Sequence, residues 1–324
     1  MKKRKLGKSG IEISPLALGG NVFGWTVDEP SAFKILDAFV EAGMNLIDTA
    51  DTYSRWVPGN KGGESEAIIG KWLKKSGKRD RVVIATKVGS DMGLGKKGLS
   101  KTYILRAAED SLKRLQTEVI DLYQSHKDDP NTGLEETLEA YATLIKQGKV
   151  RAIGASNYGA ERLSEALGVS ARHELPSYAS LQPRYNLYDR EEFEKTLEPL
   201  CREKGLGVIT YYSLASGFLS GKYRSVQDLS QSIRGQGARI YLNARGFRIL
   251  AALDEAAKRL NAAPASIALA WLMARPGVTA PIASATNLVQ LQELVAATEL
   301  TLDRAEREIL DQASAWEQTF SLTD

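Results

Sequence analysis

Short apolar segments alternate with amphipathic segments along most of the 324-residue chain. The apolar segments read SPLALGG, NLIDTA, VVIATKV, IDLYQSH, RAIGASN, SYASLQP, GVITYYS and VTAPIAS. Between them, stretches such as SAFKILDAFVEAG and ILRAAEDSLKRLQ carry apolar residues at three- and four-residue intervals, which predicts helices. About eight strand–helix units without a low-complexity linker predict an α/β fold in which residues 1–324 form a single (β/α)8 TIM barrel domain.

Three further segments complete the predicted fold. KLGKSGIEIS near the start reads as a β-hairpin with its turn near Ser9 and Gly10, ahead of the barrel. The tail after Leu300 predicts one extra C-terminal helix packed outside the barrel. The least regular part, residues 214–245, is rich in Gly, Ser and Arg. Because long irregular loops in compact domains are usually functional, this loop is expected to serve the site.

Composition changes this picture mainly by excluding partners. The formal net charge is only +3, and no Lys/Arg block interleaved with aromatic residues occurs, so nucleic acid is not an expected partner. No apolar run reaches membrane-spanning length, so a membrane partner is not expected either. The single cysteine, Cys201, reads as a buried helical thiol, which favours a reducing compartment such as the cytoplasm. The sequence leaves the oligomeric state open.

Candidate chemistry gathers at the carboxyl ends of three consecutive predicted strands, where TIM barrels carry their active sites. The second strand ends with Asp48 and is followed by Tyr53, the third ends near Lys87, and the fourth ends at His126. A buried carboxylate or ammonium is costly alone, so Asp48 and Lys87 are expected to pair. The lysine is then expected to lower the pKa of the Tyr53 phenol below about 10 and make it a proton donor. These four residues therefore predict an acid–base cluster for carbonyl reduction or alcohol oxidation.

The alternative for this cluster is purely structural: a rim ion pair between Asp48 and Lys87 beside a half-buried tyrosine. Titratable groups with shifted pKa values cluster at functional sites, so four such residues on consecutive strand ends favour the catalytic interpretation. Asp51 has no assigned partner and is expected to cap the turn. The second histidine, His173, lies at a helix end and is expected to cap that helix.

The segment GLGKKG spaces Gly93, Gly95 and Gly98 as in a dinucleotide-binding fingerprint. That fingerprint needs its glycines in the tight turn directly after a strand, whereas four residues intervene here. A closed barrel is also predicted rather than an open sheet. We therefore expect this segment to be a flexible loop over the site, outside any Rossmann fold.

The chain resembles the aldo-keto reductase family over nearly its whole length. NLIDTADTY, VVIATKV, SLKRLQTEVIDLYQSH, GKVRAIGASNY, LQPRYNLYDR and LSGKYR are similar to that family's signatures and occur in the family's order. The resemblance implies a barrel that binds NADP(H) without a Rossmann domain and without a metal. It also implies a catalytic tetrad of Asp48, Tyr53, Lys87 and His126, in which Tyr53 protonates the carbonyl oxygen, Lys87 tunes Tyr53, and His126 orients the substrate.

The resemblance further implies cofactor contacts in several strand-end segments. Ser156, Asn157 and Gln182 are expected to hold the nicotinamide carboxamide, and Tyr211 is expected to stack on the ring, with Tyr212 as the alternative. The whole set of implied cofactor-binding residues comprises Gly20, Asp48, Ser156, Asn157, Gln182, Tyr211, Ser213, Leu214, Ser216, Gly217, Lys222, Ser284, Thr286 and Gln290.

Two departures from the family pattern affect the expected ligands. Ser284, Thr286 and Gln290 stand where the family usually carries a Lys or Arg for the adenosine 2′-phosphate, which weakens discrimination for that phosphate. NADP(H) remains favoured and NAD(H) is plausible, although arginines of residues 234–245 could also reach the phosphate. A tryptophan common after the first strand is replaced here by Asn21. Residues expected to line the substrate pocket are Asn21, Phe23, Trp25 and Trp56.

The sequence thus predicts an NAD(P)H-dependent oxidoreductase that reduces aldehydes or ketones to alcohols, reversibly, with small carbonyl or alcohol substrates. The main rival is a non-catalytic nicotinamide-binding regulatory subunit, similar to the potassium-channel β subunits that share this fold. A third reading, a phosphosugar isomerase or lyase, leaves the tetrad unexplained. An intact His126 favours the enzyme.

Overall fold

Eight parallel strands close into a barrel in the computed structural model, which describes residues 2–93 and 95–316. All eight predicted apolar segments contribute a strand, so the predicted (β/α)8 barrel is confirmed. Around the barrel the strands are β3 (Ala17–Gly19), β4 (Leu46–Asp48), β5 (Val83–Val88), β6 (Ile120–Ser125), β7 (Val150–Ser156), β8 (Ser180–Gln182), β9 (Gly207–Thr210) and β10 (Val278–Ala283), and β10 pairs back with β3.

Helices separate the strands and cover the outside of the barrel. They are α1 (Glu29–Glu41), α2 (Glu64–Ser76), α3 (Lys101–Leu115), α4 (Leu134–Lys146), α5 (Ala160–Arg172), α6 (Glu198–Lys204), α7 (Ala244–Leu260), α8 (Pro264–Ala274), α9 (Leu288–Ala296) and α10 (Arg304–Ala313). Within the described residues, none of them has the length and apolar character needed to cross a membrane.

Two of these helices lie outside the eight-unit pattern. The predicted C-terminal helix is α10, which begins with a capping box between Asp303 and Glu306 and packs against α7. The sequence reading did not anticipate α7 as a second helix between β9 and β10. The helix that follows α7, α8, is buried on nearly every side. This burial explains why α8 carries an almost uninterrupted run of apolar residues.

The N-terminal hairpin closes one end of the barrel. Its strands, β1 (Arg4–Lys5) and β2 (Glu12–Ile13), pair in antiparallel register, as predicted. Leu6, Ile11 and Ile13 are buried against the inward-facing side chains of the barrel strands. Burying each such side chain stabilises the fold by about 1.5–3 kcal/mol. The amino ends of the strands are thereby sealed with apolar residues.

A glycine allows the hairpin to approach this closely. Gly7 has φ +51°, and a Cβ atom there would lie 2.2 Å from the Ala179 carbonyl oxygen. Any larger residue would force the hairpin away from the strands. With one end plugged, polar chemistry is confined to the carboxyl ends of the strands and the loops that follow them.

Candidate active site

The buried ammonium of Lys87 organises the carboxyl end of the barrel. Its Nζ atom donates to Asp48 Oδ2 at 2.6 Å, to the Thr49 carbonyl at 2.8 Å and to the Tyr53 hydroxyl at 3.0 Å. Lys87 and Asp48 are both buried, and β4 and β5 are neighbours in the barrel. The three donors of the ammonium are thus fully used, and one of them is fixed on the Tyr53 oxygen.

The expected direction of the Tyr53 pKa is wrong. Burial raises the pKa of this phenol, and the neighbouring Lys87 lowers it by less, so the net pKa lies above its usual value. Burial also acts against the charged form of Lys87, but Asp48 and Tyr53 outweigh it and raise the pKa of the ammonium. Tyr53 therefore carries its proton at neutral pH beside a charged lysine, and a protonated phenol is the form that can donate.

His126 stands beside Tyr53 in an edge-to-face arrangement, with ring centroids 6.0 Å apart. Burial, followed by the positive charges of Lys87 and Lys127, lowers the pKa of His126 to about 3. Its Nδ1 atom is buried and has no hydrogen-bond partner among the described residues. The imidazole is consequently neutral at physiological pH and can donate or accept one hydrogen bond at an oxygen placed near Tyr53.

Two glutamines hold the second oxygen of Asp48. Gln182 donates from Nε2 to Asp48 Oδ1 at 2.9 Å and to Gln124 Oε1 at 3.3 Å, while Gln124 Nε2 lies 3.4 Å from the same carboxylate oxygen. Sequence reasoning missed Gln124, because it lies within the strand segment IDLYQSH rather than at its end. Since both amide nitrogens face Asp48, the side-chain oxygen of Gln182 is left to accept from a ligand.

The tetrad opens into a cavity of about 890 Å³, and Ser156, Asn157 and Tyr211 form part of its wall. The Tyr211 hydroxyl donates to Asn157 Oδ1 at 2.6 Å, and Asn157 Nδ2 donates to the His126 carbonyl at 2.8 Å. Asn157 has φ +57°, a left-handed conformation that asparagine tolerates better than most residues. Tyr212 also lines the cavity. This wall fixes polar groups around the space beside His126.

The segment after β9 has the features of an anion cradle. The main-chain N–H groups of Ser213 and Leu214 have no acceptor among the described residues. Ala215, Ser216 and Gly217 follow with φ values of +48°, +58° and +89°. Exposed N–H groups next to left-handed residues form concavities that bind phosphate oxygens.

Lys222 adds a positive charge to the same part of the cavity wall. A Cβ atom on Gly217 would lie 3.2 Å from the Lys222 Cε atom, so the glycine leaves room for this side chain. Together with the free N–H groups, the lysine gives donors suited to a pyrophosphate, and this part of the wall fits a dinucleotide.

The three polar residues of the last strand–helix unit line the cavity, but their contacts differ. The Ser284 hydroxyl donates to Asn21 Oδ1 at 2.6 Å, on the loop after β3. Gln290 Oε1 instead accepts from the Thr286 N–H at 2.8 Å and from its hydroxyl at 3.0 Å. Thr286 and Gln290 therefore form a neutral pair whose Gln290 amide nitrogen remains available to a ligand.

Three residues that were expected at the site do not line the cavity: two of the expected substrate-pocket residues and one of the expected cofactor-binding residues. Phe23 is fully buried in the core and is not part of the cavity wall. Trp25 packs edge-on against Trp56, with ring centroids 5.5 Å apart, and of the two only Trp56 lines the cavity. Gly20 is absent from the wall, whereas its neighbour Gly19 lines it.

Several lining residues were not anticipated from the sequence. They are Gly19, Thr26, Ser220, Gln231, Ser232, Ile233, Ala265, Ile282, Ala283, Glu293 and Leu294. Four of these belong to residues 214–245, where short 3-10 helices bring the chain over the cavity. Arg234, one of the arginines expected to be able to reach the cofactor phosphate, also lines the cavity. The irregular composition of that loop was the available signal, and it indicated a functional segment without identifying the side chains.

Two residues and one segment lie outside the site. Cys201 is buried, and burial raises its pKa to about 12. His173 is the C-cap residue of α5, as expected, and its ring pairs with Glu135 at 2.9 Å. The described residues of 93–98 belong to the loop between β5 and α3 and are absent from the cavity wall. Leu94 within that segment is outside the described residues.

Asp51 does not form the expected turn cap. Both of its carboxyl oxygens are buried without a hydrogen-bond partner among the described residues. Burial, followed by the nearby negative charge of Glu66, raises the pKa of Asp51 well above its usual range. The second aspartate of the segment NLIDTADTYS is thus a buried acid whose main-chain N–H donates to the Lys87 carbonyl at 3.3 Å, while its carboxyl group makes no hydrogen bond to the tetrad.

Comparison with known proteins identifies the class that this barrel and site define. The model of the aldo/keto reductase family matches residues 15–315. The chain belongs to the aldo/keto reductase family. Members of this family are oxidoreductases that generally use NAD(P)H and act on small carbonyl compounds.

The curated relatives of this chain include proteins named as oxidoreductases and a protein named as a channel subunit. The "Uncharacterized oxidoreductase YrpG" of Bacillus subtilis is 36% identical over 94% of this chain and 93% of the relative. The "Aldo-keto reductase YhdN" of the same organism is 33% identical over 94% and 90%. A "Probable voltage-gated potassium channel subunit beta" of Arabidopsis thaliana is 32% identical over 95% and 97%.

Proposed function

We propose that the protein is an NAD(P)H-dependent reductase of aldehydes and ketones, with Tyr53 as the proton donor. The observation that carries this proposal is the 3.0 Å hydrogen bond from the buried ammonium of Lys87 to the Tyr53 hydroxyl. Tyr53 lines the cavity beside His126, so a carbonyl oxygen entering the cavity would meet a phenol donor and an imidazole together.

When bound, NAD(P)H supplies a hydride to the carbonyl carbon. As negative charge develops on the carbonyl oxygen, Tyr53 transfers its proton to that oxygen and becomes a phenolate. The adjacent Lys87 ammonium stabilises the phenolate, and Asp48 keeps the lysine in place. Neutral His126 donates a second hydrogen bond to the oxygen and orients it. Alcohol oxidation would reverse these steps, with a proton passing from the alcohol to the Tyr53 phenolate and NAD(P)+ supplying the hydride acceptor.

The cofactor would be held along the wall from β7 to α9. Ser156, Asn157 and the Gln182 oxygen would fix the carboxamide, one of the two cavity tyrosines would cover the ring, and the cradle after β9 with Lys222 would bind the pyrophosphate. Positioning of this kind accounts for a large part of the rate enhancement in bimolecular transfers.

Which nucleotide is used depends on Ser284, Thr286 and Gln290. Ser284 donates to Asn21, and the other two residues are neutral and bonded to each other. We propose NADP(H) as the cofactor, with weak discrimination against NAD(H), because no charged group of this unit grips the 2′-phosphate.

The rival function is a regulatory nicotinamide-binding subunit, as the name of the Arabidopsis relative suggests for that protein. A binding subunit needs no proton donor, whereas this chain carries the full tetrad, with Asp48, Lys87 and Tyr53 joined by hydrogen bonds and His126 packed beside Tyr53. The intact set therefore favours an enzyme.

The direct test of the proposed function is to follow nicotinamide absorbance with NADPH and NADH across a panel of aldehydes, ketones and sugars. We expect cofactor consumption matched by alcohol formation, with aldehydes reduced fastest. Tight binding of both nucleotides, seen as tryptophan fluorescence quenching, without turnover of any carbonyl compound would support the regulatory subunit instead.

A further inference from the structure

The side-chain amide of Asn157, on the cavity wall, is held at both of its ends. Its Oδ1 atom accepts from the Tyr211 hydroxyl at 2.6 Å. Its Nδ2 atom donates to the His126 carbonyl at 2.8 Å and to Ser156 Oγ at 3.1 Å. Because an amide oxygen only accepts and an amide nitrogen only donates, these partners fix one orientation of the amide. Both Nδ2 hydrogens are used, whereas Oδ1 keeps one lone pair for a ligand.

The neighbouring side-chain donors are already used as well. The Ser156 hydroxyl donates to the main-chain carbonyl of Gln182 at 2.9 Å. The side chain of Gln182 directs its Nε2 atom to Asp48 Oδ1 and Gln124 Oε1. Ser156, Asn157 and Gln182 therefore present oxygen lone pairs to the cavity, while their side-chain N–H and O–H groups are bonded within the protein. A ligand group that binds to these oxygens must itself donate.

The main chain that carries the Tyr211 hydroxyl is fixed by hydrogen bonds to the segment after β8. The Tyr211 N–H donates to the Pro183 carbonyl at 2.9 Å, and the Tyr211 carbonyl accepts from the Tyr185 N–H at 3.3 Å. Tyr212 follows with φ +55°, a left-handed conformation that costs a residue other than glycine about 1–3 kcal/mol. Asn186 Nδ2 donates to the Tyr212 carbonyl at 3.0 Å and holds this turn. Tyr211 thus stands on a rigid support.

The side chains around Tyr211 keep its hydroxyl a donor. The Tyr211 ring packs edge-on against Tyr212, with centroids 5.5 Å apart, and the Arg184 guanidinium lies 4.7 Å from the Tyr212 ring centroid. Burial raises the pKa of Tyr211, and the positive charge of Arg184 lowers it by less, so the net pKa is above its usual value. Tyr211 therefore carries its proton at neutral pH.

We propose that the Tyr211 hydroxyl is a positioning group that fixes the Asn157 amide, so that Asn157 Oδ1 and Gln182 Oε1 select the amino group of the nicotinamide carboxamide rather than its carbonyl oxygen. This inference rests on the proposed function, and it gives the hydroxyl a task separate from stacking by the Tyr211 ring. The same amide holds the His126 carbonyl, so the hydroxyl also links the cofactor site to the histidine proposed to orient the substrate.

The test measures equilibrium binding, which is independent of turnover. The probes are NADP+ or NAD+, whichever binds more tightly, and two analogues of it. The thionicotinamide analogue keeps the amino group and replaces the carbonyl oxygen with sulfur, whereas the 3-acetylpyridine analogue keeps the carbonyl and replaces the amino group with methyl. Dissociation constants are obtained from quenching of tryptophan fluorescence.

Two variants are compared with the wild type. Tyr211→Phe removes the hydroxyl and keeps the ring. Tyr188→Phe is the matched control, because the Tyr188 hydroxyl also bonds an asparagine, Asn243 Nδ2 at 2.8 Å, but Tyr188 does not line the described cavity wall. Far-UV circular dichroism checks that each variant is folded.

In the wild type we expect the thionicotinamide analogue to bind within about threefold of the natural nucleotide, and the 3-acetylpyridine analogue to bind at least about tenfold more weakly. A site built to accept N–H groups rejects a ligand that lacks them, because its buried acceptors are then left unpaired. In Tyr211→Phe the penalty on the 3-acetylpyridine analogue should fall by about threefold or more, and in Tyr188→Phe it should be unchanged.

Two results would overturn the inference and leave the proposed function intact. One is a wild type that binds the 3-acetylpyridine analogue as tightly as the thionicotinamide analogue, which needs no variant to be observed. The other is a folded Tyr211→Phe variant that discriminates between the analogues as strongly as the wild type. A wild type that binds neither NADP+ nor NAD+ would instead contradict the proposed function itself.

Discussion

Replacing Lys87 with methionine would show how much the fold depends on the buried ion pair of the site. Methionine approximates the lysine stem but leaves the Asp48 carboxylate buried without its cation. Breaking a buried pair in this way costs about 3–5 kcal/mol of the free energy of unfolding. The structure supports the upper part of that range, because the ammonium and the carboxylate are both nearly inaccessible and lie 2.6 Å apart.

A surface pair of the same length provides the control. Lys71 lies 2.6 Å from Glu29, but their side chains are 55% and 39% exposed. Lys71→Met should therefore change the free energy of unfolding by no more than about 1 kcal/mol. Because the distance is the same in both pairs, a difference between the two variants reports the burial of Lys87 together with its two further hydrogen bonds, to Thr49 and Tyr53.

The double variant Asp48→Asn/Lys87→Met completes a cycle. Removing both charges leaves no uncompensated ion, so the double variant should be more stable than Lys87→Met, with an interaction energy of about 2–3 kcal/mol. Urea unfolding at neutral pH, followed by tryptophan fluorescence, measures five proteins: the wild type, Lys71→Met, Lys87→Met, Asp48→Asn and the double variant. The stabilising role of the buried pair is refuted if Lys87→Met behaves like Lys71→Met, or if the effects of Lys87→Met and Asp48→Asn simply add.

Three further predictions concern neighbouring residues. The pKa of His126 is about 3 in the folded protein against 6.5 for an ordinary histidine, so the fold holds the neutral imidazole. The free energy of unfolding is therefore highest above pH 6.5 and decreases as the pH falls towards 3. The wild type should lose about 2 kcal/mol at pH 5 that His126→Gln does not lose, as measured by urea unfolding at pH 5 and pH 8. Gln124→Met should lower kcat/KM about tenfold, since it removes the amide that bonds Asp48 and Gln182, and an unchanged steady-state rate would count against that role. The wild type should prefer NADPH over NADH by much less than a thousandfold, and Gln290→Arg should raise that preference about tenfold or more; dissociation constants from fluorescence quenching decide this.

The tetrad could be predicted because, in a (β/α)8 barrel, residues at the carboxyl ends of different strands lie close together at one face. The sequence therefore predicts that Asp48, Lys87 and His126 converge there. The pairing of Asp48 with Lys87 followed from the cost of burying single charges. The eight strands themselves were readable because each is a short apolar run between polar segments.

Other features could not be read from the chain alone. The pKa of Tyr53 depends on how deeply the phenol is buried, and no local pattern encodes that depth. The burial of Phe23 in the core and the packing of Trp25 against Trp56 are tertiary contacts that no local sequence pattern shows. Gln124 reaches Asp48 and Gln182 through contacts between segments distant in sequence.

The central claim is that Tyr53 donates the proton, and Tyr53→Phe tests it most directly. The substitution removes one hydroxyl and keeps the ring that packs against Trp56 and His126. Steady-state reduction of the best aldehyde, measured beside the NADPH dissociation constant of the same preparation, separates chemistry from binding. We predict a loss of kcat of at least about a hundredfold, with the dissociation constant changed by less than about threefold. A variant that keeps close to full turnover would contradict the mechanism.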